Sequence, residues 1–337
     1  MDDLSKCVKI KISSFISLLK LPHPIPALER SNNIDPCIIY ERFNYSKITL
    51  LGVRFKNKVL MSGTAGIGKS SFIYYYMARI INSHRVSEFG PLPLDSYGSK
   101  EPPKVIVRRD GDDYTFYFID EKKAYKYTGD QEPYQLINCF QPEKTVYLYS
   151  NPSPTETNRQ RTTAVANLML ACPCPILVII DINKIHPKLY SNIMSNPIGA
   201  RRIEMLFLWP LPDLIAISAY HNSNRHSSTR QNYDQIESTV TQRFKLFGGV
   251  LKSLLNYSDV DDTATIQSQI DAALDTIDFR LLWNARNMYM VNQNAFFHKY
   301  IIHNNITPIY STGNNPTGRY LHHYTYKLAS LYVHLKV

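Results

Sequence analysis

The chain has 337 residues, 44% of them hydrophobic, which is enough for one large or two medium cores. No apolar run approaches the roughly 20 residues of a membrane-spanning helix, and five cysteines without zinc or disulfide spacing favour a reducing compartment. A formal net charge of +10 is compatible with contact to nucleic acid or another polyanion, and equally with a scattered basic surface that has no partner.

Residues 1–45 predict an amphipathic helix followed by a proline-rich linker. Four apolar residues of the first stretch share one helical face and are expected to dock on the main body: Ile12, Phe15, Ile16 and Leu19. Three prolines, Pro22, Pro24 and Pro26, would end this helix. A secretory signal is not indicated, because Lys20 interrupts the apolar stretch and no small-residue cleavage site follows.

The stretch 59–82 contains the pattern G-x-x-x-x-G-K-[ST], which Gly63, Gly68, Lys69 and Ser70 complete. The three apolar residues at 59–61 predict a buried strand ahead of it. Apolar residues recur at helical spacing behind it: Phe72, Ile73, Tyr76, Met77, Ile80 and Ile81. A strand, a glycine turn and a helix are the context that this pattern requires.

The residue types of this pattern suit a polyphosphate. Glycines let backbone N–H groups converge on an anion without Cβ clashes, and the N-terminus of the next helix favours negative charge. We expect Lys69 to reach the β- and γ-phosphates and the Ser70 hydroxyl to bind Mg²⁺. The expected nucleotide-binding residues are Gly63, Thr64, Ala65, Gly66, Ile67, Gly68, Lys69, Ser70 and Ser71. The alternative is a glycine turn before an ordinary core helix, which needs neither Lys69 nor Ser70.

ATP is favoured over GTP as the nucleotide. Guanine-binding proteins of this class typically use Asn-Lys-x-Asp to grip the base. The nearest match here is Asn183-Lys184-Ile185, and the His186 that follows it provides no carboxylate.

The elements downstream predict an α/β core and then a helical region. A hairpin is expected with arms 104–108 and 114–119, strands at 136–138, 145–149 and 176–180, and helices at 236–246 and 266–277. The entirely apolar strand 176–180 is expected at the centre of a parallel sheet. We therefore predict a P-loop NTPase core with a central, mostly parallel sheet and a helical lid over 46–255, and a helical extension over 256–337.

Hydrolysis needs an acidic group at a strand end, to hold the Mg²⁺ shell and orient water. Asp120-Glu121 matches two acids after an apolar strand, but lies in the second arm of the expected hairpin. Asp181 follows a buried strand but lacks an adjacent Glu, and Asn138 carries an amide that is a poor base. Ser150 follows the strand 145–149, where a polar residue often lies beside the γ-phosphate. For each acid, capping a strand in solvent is the competing interpretation.

The motif and its order along the chain resemble a known family. The segment GTAGIGKSSFIYYYMARI resembles the P-loop of Crinkler effectors and of their relatives, the retrotransposon hot spot proteins. Further matches follow in the order of that family: the hairpin after the loop, Ser150-Asn151-Pro152, Trp209 with Asp213-Leu214, Arg243-Phe244, Gly248-Gly249-Val250, Leu321-His322-His323 and Leu328-Ala329-Ser330. The resemblance covers roughly residues 46–337, and only the P-loop is specific in isolation.

The resemblance implies an ATPase module that is usually coupled to a nuclease-like domain, in an effector delivered into host cells and acting in the nucleus, where a host protein would be the partner. No leader of that family and no nuclease motif are visible in this sequence. Asn138 stands where the family often has Asp, so the resemblance favours Asn138 at the metal and predicts weakened hydrolysis. Asn138→Asp is then expected to raise turnover and Asp181→Ala to leave it unchanged.

Three functions are compatible with the sequence. The first is an ATP-binding and ATP-hydrolysing module. The second is a nucleotide-gated binding module that hydrolyses slowly or not at all, in which ATP orders the lid. The third is a basic protein that binds nucleic acid.

Overall fold

The structure is a computed structural model. It describes residues 4–13, 16–24, 35, 37–42, 45, 48–49, 57–64, 66–89, 102–111, 113–128, 140–150, 168, 172–179, 200–206, 208–224, 231–251, 254, 260–276, 302–309 and 321–336. The chain divides into two compact units. The first comprises Met1–Ser62 with Gly68–Glu204, and the second Gly63–Ile67 with Met205–Val337.

The N-terminal stretch forms strands, so the amphipathic helix predicted there is wrong. A 3-10 turn at Leu4–Lys6 precedes β1 (Val8–Lys11), β2 (Ser17–Lys20) and β3 (Ile38–Glu41), which make an antiparallel sheet in the order β1-β2-β3. The backbone N–H groups of Ile12 and Ser13 both donate to the Ile16 carbonyl, which closes a turn between β1 and β2. The β-branched residues around this turn prefer strands, and they outweigh the helical spacing of a few apolar residues.

The first unit contains a seven-stranded sheet. Its elements in chain order are β4 (Asn57–Gly63), α1 (Lys69–Ile81), α2 (Val86–Phe89), β5 (Val105–Asp110), β6 (Asp113–Phe118), β7 (Lys123–Thr128), a 3-10 turn (Pro142–Lys144), β8 (Thr145–Ser150), β9 (Ile176–Ile179) and β10 (Ala200–Leu206). The strand order is β10-β4-β9-β8-β5-β6-β7. Strands β4, β9, β8 and β5 are parallel, and β6 and β7 continue the sheet as antiparallel strands. The predicted α/β class with a mostly parallel sheet is confirmed.

Two details of this sheet agree with the sequence. Strand β9 is buried at all four positions and lies between parallel neighbours, as its apolar run predicts. The hairpin of β5 and β6 is also as predicted. Asp120 and Glu121 lie exposed in the turn that leads to β7, and Asp120 forms a surface ion pair with Lys104. The pair of acids is therefore no strand-end site of the parallel sheet.

The second unit contains four helices and a pair of strands among its described residues. They are α3 (Leu211–Ser223), α4 (Tyr233–Phe247), α5 (Val260–Asp275), β11 (Ile302–Ile309), β12 (Leu321–Leu328) and α6 (Leu331–Lys336). Asn232 and Gln235 form a capping box at the start of α4, which ends at Gly248 as predicted.

The extension after residue 256 is not wholly helical, contrary to the prediction. Strands β11 and β12 pair in antiparallel register along eight residues each. Their segments are rich in β-branched and aromatic residues, which favour strands. Within the described part of the chain, every helix is too short or too polar to cross a membrane.

Candidate functional site

The glycine pattern lies between β4 and α1, as predicted. Three of its glycines have positive φ: Gly63 at 150°, Gly66 at 80° and Gly68 at 102°. Such backbone angles are readily accessible only to glycine. The Gly68 carbonyl accepts the first helical hydrogen bond, from the Phe72 N–H at 3.1 Å. The glycines therefore give the loop a shape that side chains at these positions would prevent.

Gly63 and Gly68 are also required by their surroundings. A Cβ on Gly63 would lie 2.6 Å from the Cδ1 of Ile67 and 2.7 Å from the carbonyl oxygen of Leu206. A Cβ on Gly68 would lie 3.3 Å from the hydroxyl oxygen of Tyr45. Gly63 is thus fixed by both backbone angle and space, whereas Gly68 is fixed chiefly by its backbone angle.

Helix α1 begins at Lys69 with an end suited to an anion. Its N-cap residue is Gly68, which has no side chain to cap the first turn, and that turn contains no acidic residue. The backbone N–H groups of a first helical turn have no partners within the helix, and they carry the positive end of its dipole. Ser70 is exposed, Ser71 is half-buried, and the Lys69 side chain is only 7% exposed. Of the nine predicted binding residues, Ala65 alone lies outside the described residues.

Within the second unit, Trp209 contacts the loop at Ile67, and the sequence did not predict this contact. Its indole Nε1–H donates to the Ile67 carbonyl at 3.1 Å. The backbone N–H of Trp209 donates to the Gly249 carbonyl at 2.8 Å, and a Cβ on Gly249 would lie 2.3 Å from the Trp209 carbonyl oxygen. The double glycine after α4 therefore serves a close backbone approach to Trp209. In the sequence, the only indication of this contact was that Trp209 and Gly249 both lie in segments that resemble the Crinkler family.

An aromatic cluster packs against the first turns of α1. Tyr45 makes edge-to-face contact with Phe72, with ring centroids 4.7 Å apart, and a tilted contact with Tyr75 at 5.0 Å. Burial raises the pKa of Tyr45 to about 12, although nearby Arg42 opposes the shift. Such aromatic pairs add stabilisation beyond area burial, so the cluster fixes the start of α1 in position.

The small N-terminal sheet is bound to α1 by charged groups as well. The Tyr75 hydroxyl donates to Glu41, whose other carboxylate oxygen lies 2.6 Å from the Lys9 Nζ. Burial raises the pKa of Tyr75, and the Glu41 carboxylate raises it further. Tyr75 is therefore a neutral donor at physiological pH. The residues from 4 to 41 thus support the helix that carries Lys69 and Ser70.

The N-terminal turn covers the other end of α1. The Asn82 side-chain amide donates to the Leu4 carbonyl at 2.7 Å, and Arg85 donates to the carbonyls of Ser5 and Cys7 at 2.8 Å and 3.0 Å. A cation near a helix C-terminus is favourable, and these donors satisfy backbone acceptors of the N-terminal turn. Both ends of α1 are consequently tied to the N-terminal segment.

The parallel strands bring their C-terminal ends to the edge of the sheet where the glycine loop begins. Met61 of β4, Ile179 of β9, Ser150 of β8 and Asp110 of β5 form one row across the sheet. In the strand order, β9 is the immediate neighbour of β4, and β8 is the strand after it. Because adjacent strands are about 4.8 Å apart, β8 lies about 10 Å from β4. Ser150 is thus at the expected edge, one strand beyond the neighbour.

The two rival metal-supporting residues, Asn138 and Asp181, lie outside the described residues, so their placement stays a prediction. The strand that immediately precedes Asp181 in the sequence is β9, the parallel neighbour of β4. The predicted strand at 136–138 also falls outside the described residues. Of the two strands that the sequence assigned to these residues, the described one is therefore β9, which pairs with β4.

The cations near this edge have structural contacts. Arg108 donates to the Asp110 carboxylate at 2.8 Å and to the Tyr74 hydroxyl of α1 at 3.3 Å. Arg109 lies over the ring of Tyr149, 5.2 Å from its centroid. The contacts of Arg108 and Arg109 therefore stabilise the sheet and its packing against α1.

Ser70 is the residue of the described loop that the sequence assigned to Mg²⁺. Among the described residues no cluster of three or more His, Cys, Asp or Glu side chains is placed to hold a metal ion. The exposed hydroxyl of Ser70 at the start of α1 is one hard oxygen ligand, and Mg²⁺ accepts such a ligand together with phosphate oxygens and water.

Comparison with protein-family models finds no match, and none of the curated proteins matches the chain.

Proposed function

We propose that the chain binds a nucleoside triphosphate, with ATP favoured, through the loop from Gly63 to Ser70. The observation that carries this proposal is the combination of three positive-φ glycines with a 13-residue helix that begins at Lys69 and has glycine as its N-cap residue. Convergent backbone N–H groups and a helix dipole are the features that stabilise a bound polyphosphate. A P-loop NTPase fold of the Crinkler type is the finer form of the proposal.

Each residue of the loop has a distinct role in this proposal. The glycines set the backbone so that N–H groups surround the β-phosphate. Lys69 neutralises charge on the β- and γ-phosphates, and its 7% exposure means that water screens it little. The Ser70 hydroxyl would ligate Mg²⁺, which would supply positive charge against the phosphates. The preference for ATP rests on His186, which offers no carboxylate to guanine.

For hydrolysis we propose Asp181 as the residue that supports the metal shell. Met61 of β4 and Ile179 of β9 are paired across the two parallel strands. Gly63 comes two residues after Met61, and Asp181 comes two residues after Ile179. We therefore propose that Asp181 lies close to the start of the glycine loop. A carboxylate also attracts the cation and orients water, which the Asn138 amide does less well. The order of strands therefore supports the choice opposite to the one that the family resemblance favours.

A nucleotide-gated binding module with little hydrolysis is the second candidate. It is favoured by Ser150, because β8 ends at the same edge of the sheet in a hydroxyl and not in a carboxylate. In this case ATP would stabilise a conformation that a partner recognises, and turnover would be slow. The partner would be a host protein, and the site of action a host nucleus, if the Crinkler resemblance holds.

Equilibrium binding of ATP and Mg²⁺ to the wild type and to Lys69→Ala tests the proposal. Removing one charge-assisted hydrogen bond costs about 1.5–3 kcal/mol, so affinity should fall roughly 10- to 150-fold. Lys245→Ala, which removes an exposed lysine from α4, is the matched control and should bind ATP like the wild type. Equal affinities for wild type and Lys69→Ala would refute the assignment of the loop. Phosphate release by the same proteins then separates the ATPase from the nucleotide-gated module.

A further inference from the structure

Trp209 occupies a position that links its indole ring to the geometry of the loop. The ring is 2% exposed, and Ile67, whose carbonyl accepts its Nε1–H, is fully buried. The indole nitrogen is a donor only, so this contact has one direction. A carbonyl at the centre of a glycine loop is therefore held by one identified side chain.

The orientation of this carbonyl determines the orientation of the next N–H group. In a planar trans peptide the C=O and the following N–H point in opposite directions. When the Ile67 carbonyl faces Trp209, the N–H of Gly68 points away from Trp209. A peptide flipped at this position would instead direct a carbonyl dipole to that side, and a carbonyl oxygen repels an anion.

The backbone of Trp209 is itself fixed within the second unit. Its N–H donates to the Gly249 carbonyl, and the approach is so close that Gly249 has no room for a Cβ. Pro210 follows directly and caps α3, with its carbonyl accepting from the N–H groups of Asp213 and Leu214. Trp209 is thus anchored between the end of α4 and the start of α3, which gives its side chain a rigid base.

We propose that Trp209 is a positioning residue for polyphosphate binding: its indole N–H holds the Ile67–Gly68 peptide in the orientation that presents the Gly68 N–H to phosphate. This inference rests on the proposed function and deepens it. The ligand class is a nucleoside triphosphate or another linear polyphosphate, because the peptide in question contacts phosphate and not the base. The indole also reports the occupancy of the loop, because a charge bound at the Gly68 N–H polarises the peptide whose carbonyl accepts the indole N–H.

The test replaces Trp209 with 3-benzothienylalanine, which keeps the shape of the indole and substitutes sulfur for the N–H. Affinities for ATP and for inorganic tripolyphosphate are measured for this protein, for Trp209→Phe and for the wild type, with thermal unfolding of each protein without ligand. We expect the sulfur analogue to lose roughly 3- to 10-fold in affinity for both ligands, the value of one net hydrogen bond. A role in packing alone would leave both affinities unchanged in the sulfur analogue.

Fluorescence gives a second and independent readout. The chain has two tryptophans, so Trp283→Phe leaves Trp209 as the sole indole. Saturable change of its emission on ATP addition, with a midpoint equal to the dissociation constant, is the expected result. If the wild type binds ATP and the sulfur analogue binds both ligands with the same affinities as the wild type, the inference on Trp209 is overturned and the proposed function stands. Wild type that binds neither ligand would overturn both.

Discussion

Replacement of Gly63 by alanine tests the geometry of the loop without touching any charged group. The new methyl carbon would lie 2.7 Å from the Leu206 carbonyl oxygen and 2.6 Å from the Ile67 Cδ1. Close carbon–oxygen contacts in proteins are normally about 3.3–3.6 Å. The backbone must also keep a φ of 150°, which alanine rarely adopts. Strained backbone costs about 1–3 kcal/mol and overpacking about 1–3 kcal/mol, so we expect a destabilisation of about 2–6 kcal/mol.

Chemical denaturation measures this loss, with Gly111→Ala as the matched control. Gly111 also has positive φ, 64°, but lies in the turn between β5 and β6. Its replacement by alanine should lower the free energy of unfolding by about 1–2 kcal/mol, which is the strain of holding an alanine in the left-handed backbone conformation. The unfolding midpoint of Gly63→Ala should therefore fall clearly below that of Gly111→Ala at a similar denaturant slope. Equal midpoints would show that Gly63 is not confined as described, and the reasoning on the loop would fail.

Two further predictions concern the metal and the aromatic cluster. Asp181→Asn should lower ATP turnover about 10- to 100-fold with ATP binding retained, whereas Asn138→Asp should leave turnover unchanged. The reverse pattern would favour Asn138, the residue that the Crinkler resemblance indicates, over Asp181, the residue that the strand order indicates. Tyr45 should make the fold sensitive to alkali, because burial raises its pKa from 10.0 to about 12. The neutral phenol is favoured in the folded state, so this stability is fully present below pH 10 and is lost as the pH rises toward 12, by about 3 kcal/mol. Unfolding midpoints between pH 9 and 12 should fall less steeply for Tyr45→Phe than for the wild type, and parallel curves would contradict the burial of this hydroxyl.

The features predictable from the sequence are those that local patterns determine. The run 176–179 is apolar at every position, and only a strand covered on both faces buries all of them. Gly248 ends α4 because glycine tolerates its φ of 64°, and the glycine pattern marks the turn between β4 and α1. Each of these follows from the chemistry of a few neighbouring residues.

The features that the sequence did not reveal depend on contacts between distant segments. The N-terminal stretch has apolar residues at helical spacing, but pairing with β3 decides its conformation, and no local pattern shows that partner. Trp209 and Gly249 are 40 positions apart in the sequence, and Ile67 is more distant still. The hydrogen bonds of Trp209 to Gly249 and to Ile67 are therefore visible only in the folded structure. The choice between Asn138 and Asp181 likewise depends on strand order, which the sequence left open.

Amide hydrogen exchange with and without ATP and Mg²⁺ tests the central claim most directly, because it locates the bound phosphates on the chain. Exchange should slow in peptides that cover the loop and the first turn of α1, from Gly63 to Phe72. No such protection is expected in the exposed face of α4 from Tyr233 to Gln242. At an ATP concentration close to the dissociation constant of the wild type, protection of the loop should be much weaker in Lys69→Ala. Saturable ATP binding that leaves exchange in the loop unchanged would contradict the account.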